Sequence, residues 1–113
     1  EVAVMLEGQP QMEVGCHTDV MDSCPKSVAI PMLLRSANPQ IIAVDEITQA
    51  RDLAAMEEAA YCGVRFLATL HADSADDLHR RPLLQKLQKM HLFEKAITIH
   101  MADTLRRYTI RDL

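Results

Sequence analysis

The feature that most constrains this chain is a short apolar run, Ile41-Ile42-Ala43-Val44, that stops at two adjacent carboxylates, Asp45-Glu46. A run without alternation has no polar side to present to water, so residues 40–46 read as a strand covered on both faces, as in a parallel sheet. Residues 64–70 read as a second strand of the same kind. Between them, residues 48–62 carry helical spacing, with Leu53, Met56, Ala60 and Tyr61 sharing one face and Gly63 placed to end the helix.

The remaining segments extend this pattern. Residues 1–7 read as a short buried strand, and Gly8, Pro10 and Gly15 break the stretch that follows into loop. Asp22-Ser23-Cys24-Pro25 is a helix start, with a polar cap candidate and then a proline near the first helical position. That helix should reach about Ser36, where Asn38-Pro39 stops it, and Pro31 should kink or delay it. Ser74-Ala75-Asp76-Asp77 resembles a capping box with Asp in place of Glu. Pro82 starts a further helix whose stripe is Leu83, Leu84, Leu87 and Met90, and residues 95–100 and 105–111 read as two strands of a closing hairpin. Strand, helix, strand, helix, strand, helix and two strands make an α/β chain with a mostly parallel sheet, flanking helices and right-handed crossovers.

Composition excludes several function classes. The 113 residues are 49% hydrophobic and 25% charged, which suits one folded domain and not a disordered segment. The formal net charge is −4 and no basic run occurs, so nucleic acid is not an expected partner. No stretch has the length of a membrane span, so direct membrane insertion is not expected either. Three cysteines, Cys16, Cys24 and Cys62, lack a framework spacing and read as reduced thiols of a cytosolic protein. The first residues, Glu1 within an apolar run, suggest a cut through a longer protein at or just before a strand.

The chemistry concentrates at two strand ends. Ligands of open α/β sheets bind at the carboxyl edge of the strands, where Asp45 and Glu46 fall. In nucleotide hydrolases the first such acid holds Mg2+, often through water, and the second orients or deprotonates the attacking water. The pair equally suits a strand passing into a solvated helix N-terminus, where the dipole favours acids. The next strand closes with Thr69 and His71 at the same edge, where a polar tip can sense a γ-phosphate and a histidine can donate a hydrogen bond. Cys16, His17 and Cys24 lack the paired spacing of a zinc site, and His79, His91 and His100 read as helix-end or strand-end residues.

These segments together carry a resemblance. Residues 34–47, with Leu34-Arg35-Ser36, Pro39-Gln40 and Ala43-Val44-Asp45-Glu46-Ile47, resemble the arginine, proline and acidic-strand segment of secretion-type P-loop ATPases. Thr69-Leu70-His71-Ala72 is similar to their histidine box. With Thr18-Asp19-Val20 and Cys24-Pro25-Lys26 added, the likeness within that superfamily is to the stage III sporulation protein AA family, over almost the whole chain. The resemblance implies that residues 1–113 are the C-terminal part of a RecA-like ATPase domain. It implies Glu46, His71 and Glu7 as catalytic residues, Asp45 on the magnesium side, and Arg35 and Thr69 near the nucleotide. It leaves Arg35 open between pairing with Asp45 and meeting a neighbouring subunit. It also implies ATP and Mg2+ as cofactors of the full-length protein, a homo-oligomeric ring, other sporulation channel proteins as partners, and a cytoplasmic mother-cell location.

The sequence departs from the family pattern at Leu6-Glu7-Gly8, at Thr48-Gln49 and at Pro31. A phosphate-binding loop needs Gly-x-x-x-x-Gly-Lys followed by Ser or Thr, yet Gly8, Gly15 and Gly63 have no lysine beside them. The expectation is therefore an ATPase fragment inactive by itself and free of bound cofactor. Two other readings stand beside it: a degenerate assembly module without enzymatic activity, and a metal-dependent hydrolase built on Asp45, Glu46 and His71.

Overall fold

The computed structural model describes residues 3–72 and 80–113. The chain divides into two compact units, Glu1–Leu70 and His71–Leu113. The capping-box motif at Ser74 to Asp77, and His79, lie outside the described residues.

In the first unit the elements are β1 (Met5–Leu6), β2 (Gln9–Pro10), α1 (Lys26–Ser36), β3 (Ile41–Val44), α2 (Ala50–Tyr61) and β4 (Arg65–Ala68). The strands β3 and β4 pair in parallel, from Ile41 opposite Arg65 to Val44 opposite Ala68. Parallel neighbours need a crossover between them, and α2 is that crossover. Its end is a Schellman motif: the Val64 amide donates to the Ala59 carbonyl at 3.2 Å and the Gly63 amide to the Ala60 carbonyl at 2.9 Å. Gly63 takes φ +89°, a left-handed conformation that glycine adopts without a Cβ penalty. The turn sends the chain back antiparallel to α2, into β4.

The core of this unit is aliphatic. Ile30 of α1 and Leu53 and Met56 of α2 are almost wholly buried, joined by Ile42 and Val44 of β3, Ile47, Ala55, Ala59 and Val64. The helix α1 packs on α2. It runs unbroken through Pro31, which lacks the N–H that would have bonded the Ser27 carbonyl. Only part of the expected face of α2 is buried: Ala60 is half-buried and Tyr61 is 83% exposed. Tyr61 is the last helical residue, two positions past buried Ala59, and Ala55 and Ala59 line the buried face in its stead.

The N-terminal segment differs from expectation. Instead of a buried strand over residues 1–7, the described residues form a two-residue strand, Met5–Leu6, folded back on Gln9–Pro10 in antiparallel register. Glu7 and Gly8 make the turn with φ of 51° and 75°, the pair of positive values that a type I′ hairpin requires. Leu6 is 61% exposed, so this piece is a surface hairpin.

The second unit contains α3 (Pro82–Lys89), β5 (Lys95–Ala102) and β6 (Leu105–Asp112). Pro82 opens α3, and Leu84 and Leu87 are its buried residues. The strands β5 and β6 form one antiparallel hairpin around the two-residue turn Asp103-Thr104, with Asp103 at φ 58°. Its open end is tied by Lys95 Nζ donating to Asp112 Oδ1 at 2.6 Å and by the Leu113 amide donating to the Glu94 carbonyl at 3.0 Å.

The structure is thus α/β, but the expected mostly parallel sheet is corrected. The described strands form three two-stranded sheets, and parallel pairing is confined to β3 and β4. The reason is loop length: two-residue connections at Glu7-Gly8 and Asp103-Thr104 allow only antiparallel neighbours.

The core predicts a contrast measurable by urea unfolding. Leu53→Ala should lower the unfolding free energy by about 2–5 kcal/mol, as large-to-small changes do in filled cores. Tyr61→Ala should change it by less than about 0.5 kcal/mol, since the side chain lies on the surface.

Candidate functional site

Because β3 and β4 run in the same direction, their carboxyl ends lie side by side. The Thr69 amide donates to the Val44 carbonyl at 3.2 Å, carrying the ladder one residue past the end of β4. Asp45, which follows Val44, and Thr69, which follows Ala68, are therefore the neighbouring tips of one strand pair. Asp45 is half-exposed, while Glu46 and Thr69 are exposed. Ile47, just beyond, is buried and anchors the start of the segment leading into α2.

Asp45 has a partner that the sequence did not single out for this role. Lys26 Nζ donates to Asp45 Oδ1 at 2.6 Å. Lys26 is the first residue of α1, and the packing of α1 on α2 brings that end of the helix to the acidic edge. The lysine side chain is 27% exposed and the aspartate 46%, so the pair is only partly shielded from solvent. Among the described residues, Glu46 makes no ion pair and no side-chain hydrogen bond.

The other expected site residues are distributed as follows. Arg35 lies in the last turn of α1, at the opposite end from Lys26, and is exposed. The pairing considered for it with Asp45 is made by Lys26 instead. Glu7 is exposed in the β1–β2 turn, not at the tip of a buried strand. His71 is grouped with the second unit, and its backbone carbonyl accepts a hydrogen bond from Arg81 Nη1 at 3.1 Å. The structure thus brings Asp45, Glu46 and Thr69 together and adds Lys26.

One further acid was missed. Asp52, in the first turn of α2, is 5% exposed, the buried charged residue of the described chain. An acid at that position interacts favourably with the helix N-terminus. The available signal was its place six residues after Glu46, at the start of the crossover helix.

The donors at the strand tips decide whether a magnesium ion suits this edge. Asp45, Glu46 and Thr69 offer hard oxygen ligands, the type Mg2+ prefers. Among the described residues, no three His, Cys, Asp or Glu side chains cluster into a metal cage. Mg2+ does not require one, because it keeps several waters and shares its remaining positions between one or two carboxylates and substrate phosphates. The donor chemistry therefore fits. In such a site Asp45 would hold the ion, and the ion would neutralise charge on phosphate oxygens.

Strand, helix and strand with acids at the shared carboxyl edge make an α/β crossover unit. Its family is shown by comparison with known proteins. Residues 1–109 match the family model described as "Sporulation stage III, protein AA". The chain is 36% identical over 102 residues to the stage III sporulation protein AA of Bacillus subtilis (strain 168), a match covering 90% of this chain and 33% of that protein. The chain belongs to the stage III sporulation protein AA family, as the motifs in its sequence suggested. It spans about a third of the length of that curated relative. No solved structure matches it.

The Lys26–Asp45 pair predicts a small, salt-sensitive contribution to stability. Lys26→Met should lower the unfolding free energy by no more than about 1 kcal/mol. The loss should shrink near 1 M salt, where the Debye length is roughly 3 Å. Denaturant unfolding of both proteins at low and high salt measures it.

Proposed function

We propose that this chain is the acidic-strand part of a RecA-like P-loop ATPase core, and that the longer protein uses it to hydrolyse ATP. The observation that carries the reading is the parallel β3–β4 pair with Asp45, Glu46 and Thr69 at its carboxyl ends. On this reading Asp45 sits on the magnesium side and Glu46 orients or deprotonates the attacking water. Thr69 senses the terminal phosphate, and His71 is the histidine-box residue. Arg35, exposed in the last turn of α1, is left to meet phosphate or a neighbouring subunit. Glu7 keeps the weakest support, because its turn is not part of the β3–β4 pair.

Membership of a sporulation family supports the wider role: ATP turnover coupled to assembly or operation of a channel between mother cell and forespore. The protein would act on the cytoplasmic, mother-cell side, held at the membrane by other channel proteins. Assembly into a homo-oligomeric ring is supported by the exposed apolar face of the terminal hairpin, where Ile97, Ile99, Met101, Tyr108 and Ile110 are each more than 60% exposed. Large exposed apolar patches are a mark of interaction surfaces.

The test is made in a full-length family member carrying these residues. Glu46→Gln should lower ATP turnover by about 100-fold or more, the usual scale for loss of a general base. It should leave nucleotide affinity within a few-fold. Phosphate release and nucleotide titration read the two quantities, and unchanged turnover would remove Glu46 from this role. The 113-residue chain, whose sequence has no Gly-Lys phosphate loop, should bind ATP with Mg2+ no more tightly than about millimolar. A micromolar dissociation constant in calorimetry would contradict that.

A further inference from the structure

We propose that Lys26 and a divalent cation compete for Asp45, so that Lys26 sets the metal concentration at which the acidic edge becomes occupied. The proposal deepens the ATPase reading, on which the identity of the metal as Mg2+ rests, but its observation is independent of nucleotide. The Lys26 ammonium donates to Asp45 Oδ1 at 2.6 Å, the length of a strong charge-assisted hydrogen bond. A metal ion needs the same carboxylate at about 2.0–2.1 Å. Two cations at one carboxylate repel each other, and the half-exposed setting of Asp45 screens this only partly.

Lys26 is well placed to yield. It stands at the first position of α1, anchored by its backbone while its long side chain reaches to the strand tip. The flexible stem lets the ammonium turn away without moving the helix. In the metal-free state the lysine keeps Asp45 paired at the edge of the sheet. A cation held by Asp45 would displace the ammonium from Oδ1. Lys26 is thus a positioning residue for Asp45 that is exchanged for the metal, and not itself a metal ligand.

Binding of Mn2+ to this chain tests the idea without ATP and without turnover. Mn2+ accepts the same hard oxygen donors, and it broadens the amide resonances of nearby residues. Titration followed at the amides of Glu46 and Thr69 should give an affinity about fivefold tighter in Lys26→Met than in the wild type, the scale on which a partly exposed ion pair competes. Lys26→Arg keeps the charge and should bind as the wild type does. Asp45→Asn should abolish the broadening in either background. Equal or weaker binding by Lys26→Met, tightening by Lys26→Arg as well, or broadening that survives Asp45→Asn would each overturn the proposal. A full-length protein without ATPase activity would sink the ATPase reading while leaving this titration intact.

Discussion

Everything at the candidate site depends on the parallel pairing of β3 with β4. Strands that neighbour each other in parallel must be joined by a crossover, and the crossover here is held by burial of Leu53 and Met56 beneath α1 and the strand pair. Each of those side chains contributes about 1.5–3 kcal/mol by leaving water. Their positions one turn apart fix which side of α2 faces inward. Had β3 and β4 been joined by a tight turn, Asp45 would lie at one end of the pair and Thr69 at the other. Parallel pairing places both tips together, and packing of α1 on the same helix delivers Lys26 to them.

Much of this unit was legible before the structure. The apolar run of four residues was legible as a strand ending at solvent-facing acids, but its expected burial on both faces is corrected: Ile42 and Val44 are buried while Ile41 and Ala43 are exposed, because the helices cover one side of the strand pair. Gly63 was legible for a geometric reason, since the end of α2 requires a left-handed residue before β4 can start. The terminal hairpin was legible from its strand-length segments and the short gap between them.

What was not legible belongs to tertiary structure. The Lys26–Asp45 pair joins residues far apart in the chain, and only the packing of α1 on α2 decides which cation reaches the acid. Arg35 and Lys26 lie on the same helix and carry the same charge, so sequence could not choose between its two ends. Periodicity overextended the apolar face to Tyr61 because it does not record where the covering elements stop. The strand read over residues 1–7 failed because Glu7-Gly8 is also a good type I′ turn, and a local turn prevailed over a longer apolar run. Strand neighbours are likewise set beyond local pattern, which is why parallel pairing is found at one place among the described strands and not throughout.

The two acids of the edge are chemically alike but differently placed, and that difference argues for separate tasks. Asp45 is half-exposed and held by an ammonium; Glu46 is exposed and, among the described residues, carries no counter-ion. On the exchange proposed above, the ammonium on Asp45 must be displaced before a metal ion takes its place. A carboxylate without a counter-ion keeps its lone pairs open to water. On the ATPase reading proposed above, pairing both acids would leave no base free at the edge. If neither were paired, that reading would bring a polyphosphate up to two uncompensated negative charges. One paired acid beside one unpaired acid avoids both outcomes, and the hydrogen bond from the Thr69 amide to the Val44 carbonyl holds the tip of β4 beside the tip of β3 that carries both acids.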